Sequence, residues 1–309
     1  SLAEAKPQPF WLDTPDRSEP APALTTKITA DLAIIGAGFT GLWTALLAKE
    51  AQPDRDVVLI EADECASGAT GRNGGFVAAS ITHGFDNGFS RWPNEMAQLI
   101  ALGQANLAAI DDTVQRYVID CDFMRSGELL VATEPYQVEA LRDLMQRSTP
   151  YGEEWTWLDQ EQIRAEVNSP LYLGGLYGHD VAMTNPARLA WGLRRACLQL
   201  GVRLFERTPA IGLEQAARAM LVRTPYGSIR ANKVALATNA YPPLIKRLNF
   251  YIVPVYDFGE TGGRRLYYVM ELVDGLDLAK RLEGSGRLSP DEVARIGLAV
   301  CDALAFAHE

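Results

Sequence analysis

The sequence is poor in the residues that build metal centres. Three histidines (His83, His179 and His308) are scattered across 309 residues. Four cysteines (Cys65, Cys121, Cys197 and Cys301) show neither a C-x-x-C pair nor metal-ligand spacing. These absences argue against a zinc or iron–sulfur site and read as reduced thiols of a cytoplasmic chain. Positive charge is also in deficit: 29 Lys+Arg stand against 39 Asp+Glu, a formal net charge of -10. A nucleic-acid partner is therefore not expected. No apolar run approaches the roughly 20 residues that cross a bilayer, so no membrane span is expected. The opening residues lack a charged segment followed by an apolar one, so no secretory leader is read there.

What the sequence does have is a core. Hydrophobic residues make up 48% and charged residues 22%, ordinary for a globular chain of about two domains. The chain is organised around residues 30–62. The apolar run Leu32-Ala33-Ile34-Ile35 reads as a buried parallel strand. It enters Gly36-Ala37-Gly38-Phe39-Thr40-Gly41, which is G-x-G-x-x-G, and an apolar-periodic helix follows from Leu42 to Lys49. A second apolar run, Val57-Val58-Leu59-Ile60, ends on Glu61-Ala62. Gly36 allows the tight turn, Gly38 lets backbone N–H groups approach a pyrophosphate, and Gly41 lets the helix pack close to the strand. The phosphate then sits at the positive end of the helix. Glu61 lies twenty residues past Gly41, where a carboxylate accepts from both hydroxyls of an adenosine ribose.

A second glycine-rich stretch follows: Ser67-Gly68-Ala69-Thr70-Gly71-Arg72-Asn73-Gly74-Gly75. Such a loop can run its backbone along a large planar ligand, with Arg72 and Asn73 offering hydrogen bonds; the alternative is a flexible surface loop. His83, His179 and Arg188 are weighed as catalytic candidates, but isolated residues of these types are more often structural.

The rest of the chain divides by pattern. Residues 1–28 are rich in proline and charge and read as an extended arm, in which Phe10-Trp11-Leu12 can dock on the following domain. Helices are expected over Pro93–Arg116, Pro135–Arg147 and Ala187–Leu200, the last capped by Asn185, with a shorter one capped by Asp159. Strand patterns fall at Phe123–Thr133 (a strand pair or a bulged strand), Trp155–Leu158, Leu171–Tyr177 and Val202–Glu206. More short strands lie from Ala210 onward, and the run Lys233–Ala240 reads as a parallel core strand. The expected fold is α/β: a Rossmann-type FAD/NAD(P)-binding domain interrupted by a partial antiparallel substrate domain, the whole spanning residues 29–257.

At this point residues 10–257 resemble a family. Gly36–Leu42, Leu59–Ala62 and Gly68–Gly75, with Tyr117–Phe123, Ser126–Leu129 and Leu236–Tyr241, are similar to the FAD-dependent oxidoreductases of the D-amino-acid oxidase and glycine oxidase type. Within it they look most like the γ-glutamylputrescine oxidoreductase branch. The resemblance implies FAD as the cofactor, with Ser67–Gly75 lining the pyrophosphate, ribityl chain and flavin. It implies that the backbone of Ala210 and Ile211 meets the adenine and that Ala237 and Thr238 approach the cofactor from the second half of the sheet. It implies oxidation of the C–N bond of an amine or amino acid, a small-molecule substrate, by hydride transfer to flavin N5. Water would hydrolyse the resulting imine, and oxygen or another electron acceptor would reoxidise the flavin.

Residues 258–309 depart from that family. They read as a β-hairpin, a short helix and an amphipathic helix whose capping box is Ser289 with Glu292. They resemble the middle of a bacterial Ser/Thr protein kinase, without its glycine-rich loop, catalytic loop or Asp-Phe-Gly. The resulting expectation is a chimera of two truncated families joined within Ile252–Asp257. The alternatives are an inactive fragment, a kinase-like nucleotide-binding or regulatory module without phosphoryl transfer, and an oxidoreductase with a diverged C-terminal part.

Overall fold

The first strand, β1 (Lys27–Ile35), carries a run of small and branched apolar residues and buries its last three positions completely or nearly so. It opens a computed structural model that describes residues 8–216 and 219–239, together with the backbone of 255–260 and 266–270. The chain divides into two units, Ser1–Ala237 and Thr238–Glu309.

In the first unit, β1 is followed by α1 (Phe39–Ala51) and β2 (Val57–Ile60), a βαβ unit whose β2 is buried at all four positions. Strand and helix are separated only by the glycine turn. Further along lie β3 (Phe76–Ala78), α2 (Phe85–Arg91), α3 (Met96–Arg116), β4 (Glu128–Ala132) and α4 (Pro135–Ser148). Then come β5 (Trp155–Leu158), α5 (Gln160–Glu166), β6 (Gly174–Gly178), β7 (Val181–Met183), α6 (Pro186–Gln199) and β8 (Arg203–Phe205). The unit ends with β9 (Gly212–Ala216), β10 (Ala219–Arg223) and β11 (Ser228–Leu236).

The main sheet has the order β8-β2-β1-β11-β10-β9. Its first four strands are mutually parallel, and β10 and β9 continue it antiparallel. Helices α1 and α6 pack together on one face, where Leu42, Leu46, Leu59, Leu193 and Leu204 form the core. Burying one such side chain contributes roughly 1.5–3 kcal/mol. Between β2 and β8 the chain leaves to build an antiparallel sheet, β4-β6-β5, and a two-stranded ribbon, β3-β7. This is the interrupted parallel sheet anticipated from the sequence.

Capping residues act as their chemistry dictates. Asp159 accepts from the N–H groups of Glu161 and Gln162 while Gln162 reaches back to its backbone, a reciprocal box at the start of α5. Asn185 accepts from the N–H of Arg188 ahead of Pro186 in α6.

Several boundaries differ from expectation: α3 starts at Met96 rather than Pro93, β6 covers Gly174–Gly178 rather than Leu171–Tyr177, and β11 ends at Leu236 rather than Ala240. β1 starts at Lys27, because its outer half pairs with Ser228–Ala231, so the arm ends before residue 28. β11 likewise runs from Ser228, through the polar Asn232 and Lys233, which are exposed. The Phe123–Thr133 segment is neither a pair nor one long strand. Met124 makes an isolated bridge to Met183, Gly127 turns with φ 68°, and β4 begins only at Glu128.

In the second unit, β12 (Val255–Glu260) and β13 (Leu266–Met270) form an antiparallel hairpin with a register shift between Val255 and Asp257. The hairpin expected there is present. The two helices expected beyond it lie outside the described residues.

Candidate functional site

The C-terminal ends of β1 and β2 meet the start of α1. Gly36 adopts φ 105° and donates its N–H to the carbonyl of Ile60 at 2.8 Å. A Cβ on Gly41 would lie 1.8 Å from the Gly36 carbonyl oxygen and 3.5 Å from the Ala237 Cβ, so strand, helix and the end of β11 approach as only glycine permits. Ala237 itself donates its N–H to the Ile35 carbonyl at 2.8 Å. Gly38, the residue before α1, has no side chain with which to cap the helix, and the first turn holds no acidic residue. The positive end of α1 is thus not neutralised by a charge from within the helix and favours an anion.

Glu61 extends from the end of β2. One carboxylate oxygen accepts the Ala37 N–H at 2.7 Å and the other accepts the Asp63 N–H at 3.1 Å. A carboxylate has about four lone-pair sites, so each oxygen keeps capacity for one more donor. Ala62 is exposed beside it. The Glu61 carbonyl accepts the N–H of Thr208 at 2.7 Å, which brings the segment after β8 alongside. Two residues on, Ala210 is half-buried and Ile211 is exposed, with its N–H bound to the Arg223 carbonyl.

The Ser67–Gly75 segment is ordered by its own polar groups. It contains a short 3-10 turn, Ala69–Gly71. Asn73 donates to the carbonyls of Ala69 and Thr70 and accepts the Gly75 N–H, and Arg72 Nε donates to the Ser67 carbonyl. The Gly68 carbonyl accepts the Gly71 N–H. Thr70 Oγ1 accepts the Phe39 N–H at 3.0 Å and would lie 2.9 Å from a Cβ on Gly38, so the loop is joined to the first residue of α1. Thr40, the next helical residue, is exposed. Gly75 adopts φ 79° and its carbonyl accepts the Thr184 N–H, while Gly74 lies against the Phe76 ring. A flexible loop is not what these bonds describe.

Electrostatic ties close the site from below. Glu64 meets Arg17 at 2.5 Å and Arg207 at 2.6 Å. The Arg207 hydrogen bond, with Arg17 adding to it, holds the Glu64 carboxyl below its usual range against the opposing effect of burial. Glu206, 2% exposed, receives the Cys65 N–H, the Ala21 N–H and the Arg194 guanidinium. Glu206 was not singled out from the sequence, since nothing in the strand pattern Val202–Glu206 marks it as a buried charge.

The structure thus brings together Gly36, Gly38, Phe39, Thr40, Gly41, Glu61, Ala62 and Ser67–Gly75, with Ala210, Ile211 and Ala237 at the margins. Thr238 begins the second unit. His83 and His179 are exposed, and Arg188 is spent on Asp16 and Asp122. Among the described residues no group of His, Cys, Asp and Glu is placed to hold a metal ion, and no helix is long and apolar enough to cross a membrane.

A family model described as FAD dependent oxidoreductase matches residues 31–261. The chain belongs to this FAD-dependent oxidoreductase family. The gamma-glutamylputrescine oxidoreductase of Escherichia coli is 32% identical over 246 residues, covering 77% of this chain and 57% of that protein. A probable oxidoreductase of Haemophilus influenzae is 27% identical over 262 residues, covering 81% of this chain and 59% of that one. The chain therefore spans less than two thirds of the length of these relatives. Among solved structures, glycine oxidase from Geobacillus kaustophilus superposes with a TM-score of 0.58 at 20% identity, covering 71% of this chain and 58% of that one. L-proline dehydrogenase from P. horikoshii gives 0.59 at 18% identity, covering 76% and 59%. These likenesses carry the fold. The family match reaches residue 261, beyond the junction expected within Ile252–Asp257.

Proposed function

We propose that this chain binds FAD along the line from Glu61 to Gly75 and serves the oxidation of a C–N bond in an amine or amino acid. The observation that carries the reading is the Glu61 carboxylate. It is fixed by the Ala37 and Asp63 N–H groups yet keeps one acceptor site on each oxygen, beside a helix N-terminus that Gly38 does not cap and no acidic residue of the first turn neutralises. That pairing suits the two ribose hydroxyls and the pyrophosphate of an adenine dinucleotide. The residues fit the cofactor on a second count: Gly41 lets α1 approach Gly36 and Ala237 as only glycine permits, which brings the helix N-terminus onto the end of β1.

In this reading, Gly36, Gly38, Phe39, Thr40 and Gly41 shape the pyrophosphate site, and Glu61 and Ala62 hold the adenosine ribose. Ala210 and Ile211 flank the adenine. Ser67, Gly68, Thr70, Gly71, Arg72, Asn73, Gly74 and Gly75 carry the remainder of the cofactor, with Ala237 nearby. Thr238 is assigned on sequence resemblance alone. Bound FAD supplies a hydride acceptor, and the protein's share is to bind and orient it. Oxygen or another acceptor would complete the cycle. The gamma-glutamylputrescine and glycine oxidising relatives support an amine or amino acid as the substrate class. A cytoplasmic location belongs to the same proposal; Cys65, Cys121 and Cys197 are free thiols.

For residues 258–309 the proposal is a separate segment resembling the middle of a protein kinase and incapable of phosphoryl transfer, which makes the chain a chimera. β12 lies within the residues that the oxidoreductase family model matches, so this segment stands on sequence resemblance alone. Continuous genomic DNA across codons 245–265, covered by single long reads, would support a natural junction, whereas a break there would point to an assembly error.

The functional reading is tested by titrating the purified chain with FAD and following flavin fluorescence, then assaying amines and amino acids for imine-derived carbonyl product. Saturable binding is expected. A chain that takes up no FAD would sink the reading.

A further inference from the structure

The N-terminal arm reaches the glycine-rich loop at one place. Trp11 donates its indole Nε1–H to the carbonyl of Asn73 at 2.8 Å, and the neighbouring Leu12, 4% exposed, packs beneath Gly71. A Cβ on Gly71 would lie 2.8 Å from Leu12 Cδ2, so the loop rests directly on that side chain. The bonds made by Asn73 and Arg72 side chains all stay within the loop. Outward, the loop is tied to α1 at Thr70 and to Thr184 at Gly75. Between those anchors Arg72, Asn73 and Gly74 are exposed, and among the described residues Trp11 makes the intervening hydrogen bond to the rest of the chain.

The arm is itself fastened along its length. Asp16 pairs with Arg188, Arg17 pairs with Glu64, the Glu19 carbonyl accepts from Arg194, and Leu24 donates its N–H to Thr208. It is therefore a fixed platform, and Trp11 is its outermost polar contact with the loop.

We propose that Trp11, seated on the arm beside Leu12, is a positioning residue that holds Gly71–Gly75 in the shape required by the part of FAD beyond the adenosine diphosphate. The proposal rests on the FAD reading above. Losing one neutral hydrogen bond corresponds to a factor of about two to ten in an equilibrium. Loosening the loop should cost binding where the loop meets the ligand and nowhere else.

The test compares Trp11→Phe with the wild-type full chain, since phenylalanine keeps the aromatic packing and removes only the donor. FAD and adenosine diphosphate are titrated separately, because the latter lacks the ribityl chain and flavin that Gly71–Gly75 would meet in this reading. Hydrogen exchange of the ligand-free chain is read at the amides of Gly71, Arg72 and Gly75. The expected result is FAD binding weakened about two- to tenfold, unchanged adenosine diphosphate binding, and faster exchange confined to the loop. FAD affinity equal to the wild type would overturn the proposal. A parallel loss of both ligands would also overturn it, since that marks a general structural role. A wild-type chain that binds no FAD refutes the flavin reading itself, and the proposal falls with it.

Discussion

Glu61 and Ala37 are joined by a 2.7 Å hydrogen bond from backbone N–H to carboxylate, which makes the acid after β2 and the glycine turn after β1 a single unit. Replacing Glu61 by alanine removes the acceptor for the turn and the proposed acceptor for the ribose together. Hydrogen bonds to a charged partner are worth about 1.5–3 kcal/mol each, so FAD binding should weaken by roughly tenfold or more. Adenosine diphosphate should lose a similar factor, because it shares the ribose. Calorimetric titration with both ligands checks this, and unchanged affinity would exclude Glu61 from the site.

Gly41 tests the backbone approach. Its Cβ would meet the Gly36 oxygen at 1.8 Å, a backbone atom that cannot rotate away. Gly41→Ala must push α1 from β1, and overpacking of this kind costs about 1–3 kcal/mol. The thermal midpoint should fall, and cofactor affinity should fall with it. A variant with wild-type melting behaviour would show the approach to be less tight.

Glu206 and Arg194 form a buried pair, 2% and 10% exposed at their side chains, joined at 2.8 Å. Glu206→Ala strands the guanidinium and releases the N–H groups of Ala21 and Cys65. Removing one member of a buried ion pair costs about 3–5 kcal/mol. Urea unfolding should register a loss of that size, and a loss under about 1 kcal/mol would mean that water reaches the pair.

The parts legible in the sequence are those fixed by local chemistry. The β1–α1–β2 unit announces itself because apolar runs, glycine spacing and the terminal acid are all within about thirty residues of one another. Asp159 and Asn185 could be placed as caps because side-chain type and helix phase coincide. What stayed hidden depends on partners far away. β3 pairs with β7, yet each is three residues long, too short for alternation to register. The contacts of Glu206 with Ala21 and Cys65 span 185 and 141 residues, and no window sees them. Trp11 was legible as a docking residue, but its acceptor on Asn73, 62 residues on, was not.

The thiols give a chemical test of the core. Cys65, Cys121 and Cys197 are buried, and burial pushes all three thiols up, Cys197 to about 12. The thiolate is the reactive form, so at pH 8 these three should resist a disulfide reagent in the native chain and react once it is unfolded. Mapping the labelled peptides separates them from Cys301. Rapid native labelling of Cys65 would contradict its packing beside Ala37 and Glu206.

Glu128 and Glu153 face a shared cleft with Gln104, His179 and Asp180. Burial raises both carboxyls above 4.5; the charge of Glu153 adds to the rise at Glu128, and that of Asp180 to the rise at Glu153, against hydrogen bonds from Trp155 and Ser148. A carboxyl whose folded value is raised contributes stability fully present below pH 4.5 and lost as pH rises through the folded value. Above its folded value each group is therefore held charged at a cost. Glu128→Gln removes the charge at Glu128 and its repulsion with Glu153. The variant should melt higher than the wild type at pH 7, and the advantage should vanish as pH falls to 4.5 and below. Parallel melting curves from pH 4 to 8 read the sign directly: an advantage that grows on acidification would mean that Glu128 is stabilised as the carboxylate by a partner in the cleft.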